Sequence, residues 1–228
     1  MTLTEAPAGT VKATSAATIE RIFAEHFVGV ESVLDATYGL GRFWKWDWRA
    51  MGFTLSGNDL YAPEPTGPNA PDAFTRMDFT DWPDVAEWHH VDVVVFDPPF
   101  TAQGPDSTGH SHNDGYGSTR TLTGAPQNIH DVERLLVEGI KQCAAIARVG
   151  LIVKTQPVVE SGTLHSSDTL AANTIVKAGF NIVEWIPFSP PRRAQPKGRR
   201  VTGLGGRPSM FLVAVNGAVD RRGGNEVG

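Results

Sequence analysis

The run Val93-Val94-Val95-Phe96-Asp97-Pro98-Pro99-Phe100 sets an acid, two prolines and an aromatic ring directly behind the purest β-branched stretch in the chain. Consecutive prolines fix φ and remove two backbone donors, so the Asp97 carboxylate and the Pro98 carbonyl become rigid acceptors beside the Phe100 ring. Two fixed acceptors next to a flat ring suit a planar amine. They take its two N–H groups while Phe100 stacks on the base that carries it. A proline pair alone would only end a strand; the acid before it and the ring after it ask for more.

Three further groups follow other apolar runs. Asp35-Ala36-Thr37-Tyr38-Gly39-Leu40-Gly41 closes the run that begins at Val30 and leads into Arg42 and an expected helix. Two glycines at such a turn let the backbone approach a ligand closely. A dinucleotide fingerprint would need a third glycine where Trp44 stands, and no GxxxxGK[ST] occurs, so nicotinamide and P-loop chemistry are disfavoured. Asp59 lies 18 residues beyond Gly41, where a carboxylate accepts both hydroxyls of a ribose. Asp78, flanked by Met77 and Phe79, suits an adenine: the acid takes the amino group and the side chains sandwich the ring. Each acid singly also suits a turn or a helix cap, but their placement after consecutive strands sets them apart.

Other clusters are weaker. Asp106, His110, His112 and Asp114 fall in one irregular stretch without spacing imposed by a helix or strand, and no metal is expected. Phe43, Trp44, Trp46 and Trp48 read as packing surface rather than a base-stacking platform. Cys143, on a helical face with Ile140 and Ala147, reads as a buried structural thiol.

These groups need a scaffold, and hydrophobic periodicity supplies one. Ile19, Ile22, Phe23 and Phe27 predict a helix over residues 16–27, capped near Thr14 or Ser15. Further helices are expected over 130–147 and 168–178, the second stopping at Gly179. Strands are expected at 30–36, 53–56, 74–77, 91–96, 150–154, 181–186 and 210–215. Strands that are nearly all apolar, separated by helices, predict a doubly wound α/β domain with a mostly parallel sheet. The last two strands have no helix between them and should pair antiparallel. Ligands bind such sheets at the carboxyl ends of the strands, where the acids above all lie.

Composition agrees with a globular chain: 228 residues, 40% apolar and 20% charged, with one cysteine and therefore no intrachain disulfide. One domain over 1–228 is expected, with an irregular substrate loop at 101–129, a basic hairpin loop at 188–209 and a flexible tail at 217–228. No apolar run is long enough to span a bilayer, and the polar start has no hydrophobic signal region, so export and membrane insertion are not expected. The net charge of −5 is unevenly spread: residues 1–187 carry a net −11 and residues 188–228 a net +6. Arg192, Arg193, Lys197, Arg199 and Arg200, with Arg207, form a run without an acid, suited to a polyanion such as nucleic acid. A solvated loop has the same composition.

With these residues in place, the chain resembles a class I S-adenosylmethionine-dependent methyltransferase of the amino-methylating kind. Asp35 to Gly41 match the family's cofactor loop and Asp97 to Phe100 its [DNS]-Pro-Pro-[YFW] motif, in the family's order; the likeness covers residues 15–215. It implies a Rossmann-like, mostly parallel seven-stranded sheet with an antiparallel last strand. It also implies S-adenosylmethionine held by Asp35, Thr37, Gly39, Gly41, Asp59, Asp78 and Phe79, with Asp97, Pro98, Pro99 and Phe100 at the acceptor amine. Within the family the chain is most similar to small phage-type or bacterial DNA methyltransferases. That implies adenine N6 in DNA as acceptor, a cytoplasmic location, and no membrane or obligatory protein partner. The DPPF motif also occurs in RNA and protein-lysine methyltransferases, and cytosine N4 offers a similar amine. Those acceptors stay open, as does a catalytically silent nucleic-acid-binding module on the same fold.

Overall fold

Apolar runs such as Val93 to Phe96 leave no polar side for water, so their strands must be covered on both faces. The computed structural model describes residues 14–84, 91–100, 126, 128–160, 163–189 and 208–218, and there all four of those side chains are fully buried. The strands are β1 (Ser32–Asp35), β2 (Thr54–Asn58), β3 (Ala73–Thr75), β4 (Val91–Phe96), β5 (Ala147–Thr155), the short pair β6 (Val158–Glu160) and β7 (Thr163–His165), then β8 (Phe180–Phe188) and β9 (Ser209–Asn216). Seven of them form one sheet in the order β3-β2-β1-β4-β5-β9-β8. Only β9 runs against the rest, antiparallel to both β5 and β8. This is the mostly parallel sheet, with its reversed last strand, that the sequence predicts.

Alternation along each strand divides the core in two. Leu34, Val94, Phe96, Leu151 and Val153 face α2 (Ile129–Ile146) and α3 (Ser167–Lys177), meeting Leu136, Ile140 and Ile175. Val33, Val93, Val95, Ile152 and Val213 face the other way, toward α1 (Ser15–His26) and a cluster of Phe23, Trp44, Trp48 and Phe53. Each such aliphatic or aromatic side chain stabilises the fold by roughly 1.5–3 kcal/mol through burial. α1 begins where expected, with the Thr14 hydroxyl accepting the Ala17 N–H at 3.1 Å, and the Asn128 side chain caps α2 by accepting from Asp131. Gly139 lets α2 come down onto β4, because a Cβ there would run into the rings of Phe96 and Phe79. Cys143 is fully buried on that helix, and burial pushes its thiol pKa up, so it is inert packing.

Two elements differ from the sequence expectation. No regular helix follows the glycine turn; the chain makes two 3-10 turns instead, Arg42–Trp44 and Trp48–Met51. The reason is tertiary. Trp44 and Trp48 are almost fully buried, and the Trp44 indole N–H donates to Asp35 at 2.7 Å, which draws the chain inward before an α-helix can form. The β6–β7 hairpin is additional, and its Ser161-Gly162 junction is the sequence signal that marks it.

Most of the 101–129 loop, the basic residues Arg192, Arg193, Lys197, Arg199 and Arg200, and nearly all of the 217–228 tail lie outside the described residues. Among the described residues no helix is long and apolar enough to cross a membrane.

Candidate active site

β1 delivers Asp35 to the carboxyl end of the sheet, with only 1% of its surface exposed. One carboxylate oxygen accepts the Thr37 N–H at 3.1 Å and the other the Trp44 indole N–H at 2.7 Å. Burial pushes its pKa up to about 7; the two hydrogen bonds pull against that, and the neighbouring carboxylates of Asp97 and Asp59 add to the rise. The turn that follows takes left-handed backbone at Gly39 (φ 58°) and Gly41 (φ 63°). Gly41 is held by space as well as by φ, since a Cβ would meet the Tyr38 hydroxyl at 2.5 Å. A cleft of about 300 Å³ runs along this loop, lined by Tyr38, Gly39, Gly41, Pro65 and Asn69 among others.

The next two strands bring their acids to the same end. Asp59 accepts three backbone N–H groups, from Gly39 at 2.9 Å, Tyr61 at 2.8 Å and Ala62 at 2.7 Å, and so pins the glycine loop to the turn behind β2. Asp78 receives both the N–H and the hydroxyl of Thr80 on one oxygen, at 2.9 and 2.8 Å. Phe79 is partly buried and packs edge-on to Phe96, with centroids 5.1 Å apart. Asn58, which the sequence reading passed over, ties the three strand ends together. Its amide donates to the Ala36 and Met77 carbonyls, and its oxygen accepts from Thr75 and the Met77 N–H.

Behind β4, Asp97 turns back toward the glycine loop: its N–H donates to the Thr37 hydroxyl at 2.7 Å. Thr37 therefore joins the loop behind β1 to the Asp97–Phe100 motif directly. Pro98 is buried, while Pro99 and Phe100 are half-buried beside it. The Asp97 carboxylate is met by Lys154 from β5, whose Nζ stands 2.9 Å from Oδ2 and 3.2 Å from Oδ1. The same Nζ lies over the rings of Phe100, Phe43 and Phe211, at 5.1, 5.4 and 5.9 Å from their centroids. Lys154 was also missed. In the sequence it is a single charge in the Gly-Leu-Ile-Val-Lys-Thr run, and only the fold shows its partners.

Among the described residues one set of histidine and carboxylate side chains converges closely enough to hold a metal: Glu25, His26 and Glu184. It sits where α1 meets β8, and Arg21 already supplies the cation there, pairing with both Glu25 and Glu184. Asp106, His110, His112 and Asp114 lie outside the described residues.

A seven-stranded, mostly parallel sheet with one reversed strand is the arrangement of the S-adenosylmethionine-dependent methyltransferase fold. Solved structures agree. Magnesium protoporphyrin IX methyltransferase (ChlM) from Synechocystis PCC 6803, with bound S-adenosylhomocysteine, superposes over 89% of this chain and 81% of its own at a TM-score of 0.53 and 15% identity. PH1948 from Pyrococcus horikoshii, a candidate RNA methyltransferase, covers 89% of this chain and 83% of its own (TM-score 0.50, 11% identity). SMU.776, also crystallised with S-adenosylhomocysteine, covers 88% and 49% (TM-score 0.51, 13% identity). At these identities the likeness is one of fold. No protein-family model matches the sequence, and no curated protein matches it.

Proposed function

We propose that the chain is an S-adenosylmethionine-dependent N-methyltransferase acting on an exocyclic amino group of a nucleobase, adenine N6 in DNA foremost. The observation that carries this reading is the bond from Asp97 N–H to Thr37 Oγ1, which fixes the amine-holding motif against the loop that would hold the cofactor.

The residues present suit that cofactor. Asp35, Asp59 and Asp97 stand close enough for the last two to raise the pKa of the first, a concentration of negative charge that a bound sulfonium and α-amino group would relieve. Gly39 and Gly41 leave the backbone open, and Asp78 keeps Oδ2 for a ligand donor. When bound, the cofactor supplies an electrophilic methyl carbon.

The chain's part in the reaction is orientation plus electrostatics. An exocyclic amine is a poor nucleophile because its lone pair is delocalised into the ring. Asp97 and the Pro98 carbonyl accept its two hydrogens and favour a tetrahedral nitrogen whose lone pair faces the methyl donor. Phe100 stacks on the base, offsetting part of the few kcal/mol that extruding it from a duplex costs. No strong base is needed before attack.

A nucleic-acid partner is supported by where the basic segment is attached. β8 ends at Phe188 and β9 starts at Ser209, both at the sheet end that carries Asp97, and Met210 pairs with Thr155 next to Lys154. The segment that carries Arg192, Arg193, Lys197, Arg199 and Arg200 is therefore anchored at both ends on the side of the acceptor motif, and phosphate contacts from it would position a nucleic acid without specifying its sequence. A panel of DNA, RNA and protein acceptors with methyl-labelled cofactor tests the reading. Label in N6-methyladenine of DNA is the expected outcome. Label only in RNA or protein would change the acceptor, and none at all would leave a silent nucleic-acid-binding module.

A further inference from the structure

The Asp97–Phe100 motif is held at both ends by one cation. Lys154 Nζ contacts both oxygens of Asp97, the first residue of the motif, and lies 5.1 Å over the ring of Phe100, the last. Phe43 and Phe211 complete an aromatic enclosure around the ammonium, which leaves the Lys154 side chain 13% exposed. A buried ammonium is costly unless it is paired, and here its partners are the groups that the amine and the base of the substrate would use. An ammonium over a ring face also restrains that ring.

We propose that Lys154 is a positioning residue of the acceptor site: its ammonium sets the direction of the Asp97 carboxylate and the tilt of the Phe100 ring together, so that target amine and target base are received in one fixed geometry. It touches neither methyl donor nor acceptor. The inference rests on the acceptor reading given above, and it adds the residue that makes the two acceptor groups act as a unit. A compact point charge suits this place better than a guanidinium, because three aromatic rings and one carboxylate surround a single nitrogen.

The test uses the full chain with Lys154→Met, which keeps the stem packed against Phe43 and Phe211 and removes the charge, and Lys154→Ala, which leaves space in the enclosure. Loss of alignment at the reacting groups should lower kcat about 100-fold in Lys154→Met, with the Kd for S-adenosylmethionine unchanged. Ethylammonium should restore part of the kcat of Lys154→Ala, whereas the same concentration of potassium chloride should not. A merely structural ion pair predicts otherwise: wild-type kcat in the folded variants and no response to ethylammonium, and that result overturns the proposal. Should Lys154→Met not fold, Lys154→Arg decides: a lowered kcat in a folded protein supports positioning, and wild-type kcat refutes it. If the wild-type chain methylates no nucleobase, the proposed function falls, and crystal structures of Lys154→Met or Lys154→Arg then decide the positioning role alone. Displacement of the Asp97 carboxylate and the Phe100 ring upholds it; unchanged positions sink it.

Discussion

β4 and β5 carry a carboxylate–cation pair at each end, and the two pairs are built differently. At the amino end, Asp92 is buried and saturated: it accepts the N–H groups of Glu31 and Ser32 and takes Arg148 through two guanidinium nitrogens. Its own N–H donates to the Ser32 hydroxyl. Burial opposes ionisation there, but Arg148 and the backbone donors outweigh it and hold the carboxyl below its ordinary value. At the carboxyl end, Asp97 meets a single-point ammonium and is 23% exposed. A fork of donors fixes a carboxylate at both oxygens, whereas a point charge orients it without the directional fork. The same two strands thus carry a forked pair at one end and a point-charge pair at the other.

The largest effect that distinguishes the ends should come from Asp97→Ala. If Asp97 holds the target amine, turnover should fall by roughly 1000-fold, the order seen when one preorganised transition-state contact is removed. Cofactor Kd should stay near wild type, and a near-normal rate would erase the contrast. Asp92→Ala should do the opposite. Leaving the buried Glu31 and Ser32 donors unpaired should cost about 3 kcal/mol in urea unfolding, with the kcat of the folded fraction kept. A stable Asp92→Ala would mean that the amino-end pair is ornamental.

Asp59→Ala should weaken S-adenosylmethionine by about 1–3 kcal/mol in calorimetry, because ligand hydroxyls would be left unpaired and the Gly39 N–H set free. Wild-type affinity would remove Asp59 from the site. Asp35 and Asp92 should also give opposite pH signatures. The Asp35 pKa is raised in the fold to about 7, so the folded chain binds the extra proton between about pH 4 and 7 and its contribution to stability falls as pH rises, by at most about 1.4 kcal/mol per pH unit. Asp92 is depressed, so its contribution is present above the unfolded value near pH 4 and is lost as pH falls through the folded one. Asp35→Asn should flatten the unfolding free energy between pH 4 and 7 only. The smallest effect is at the basic segment. Neutralising Arg192, Arg193, Lys197, Arg199 and Arg200 should make the salt slope of duplex binding shallower by roughly 0.9 for each phosphate that is no longer neutralised, similarly on all sequences.

What the sequence revealed follows a physical division. Features set by neighbours in the chain were legible: the β4 run, the proline pair behind it, the 3.6-residue period of α2 and the glycines of the β1 turn. Features set across the fold were not. Trp44 finds its acceptor in Asp35, and that bond replaced an expected helix with 3-10 turns. Asn58 and Lys154 look like ordinary polar interruptions of a strand until the neighbouring strand ends are known. Asp92 hides in the same way, a lone acid in a valine run whose partners lie 56 and more residues away. Phe79 reads as a stacking ring from its neighbours, and its contact with Phe96 shows only in the fold.

Because β9 runs opposite to β5 and β8, the chain leaving β8 comes back at the edge from which it departed. A parallel β9 would have needed a crossover to the far side of the sheet, and that connection could not lengthen without being repacked. The turn-back has no such constraint. Eighteen residues, 190–207, separate the described ends, enough contour for an excursion of up to about 30 Å out and back, close to one turn of a B-form duplex. The length of this one segment can therefore change by insertion or deletion while the sheet order and the strand ends beneath it stay as they are.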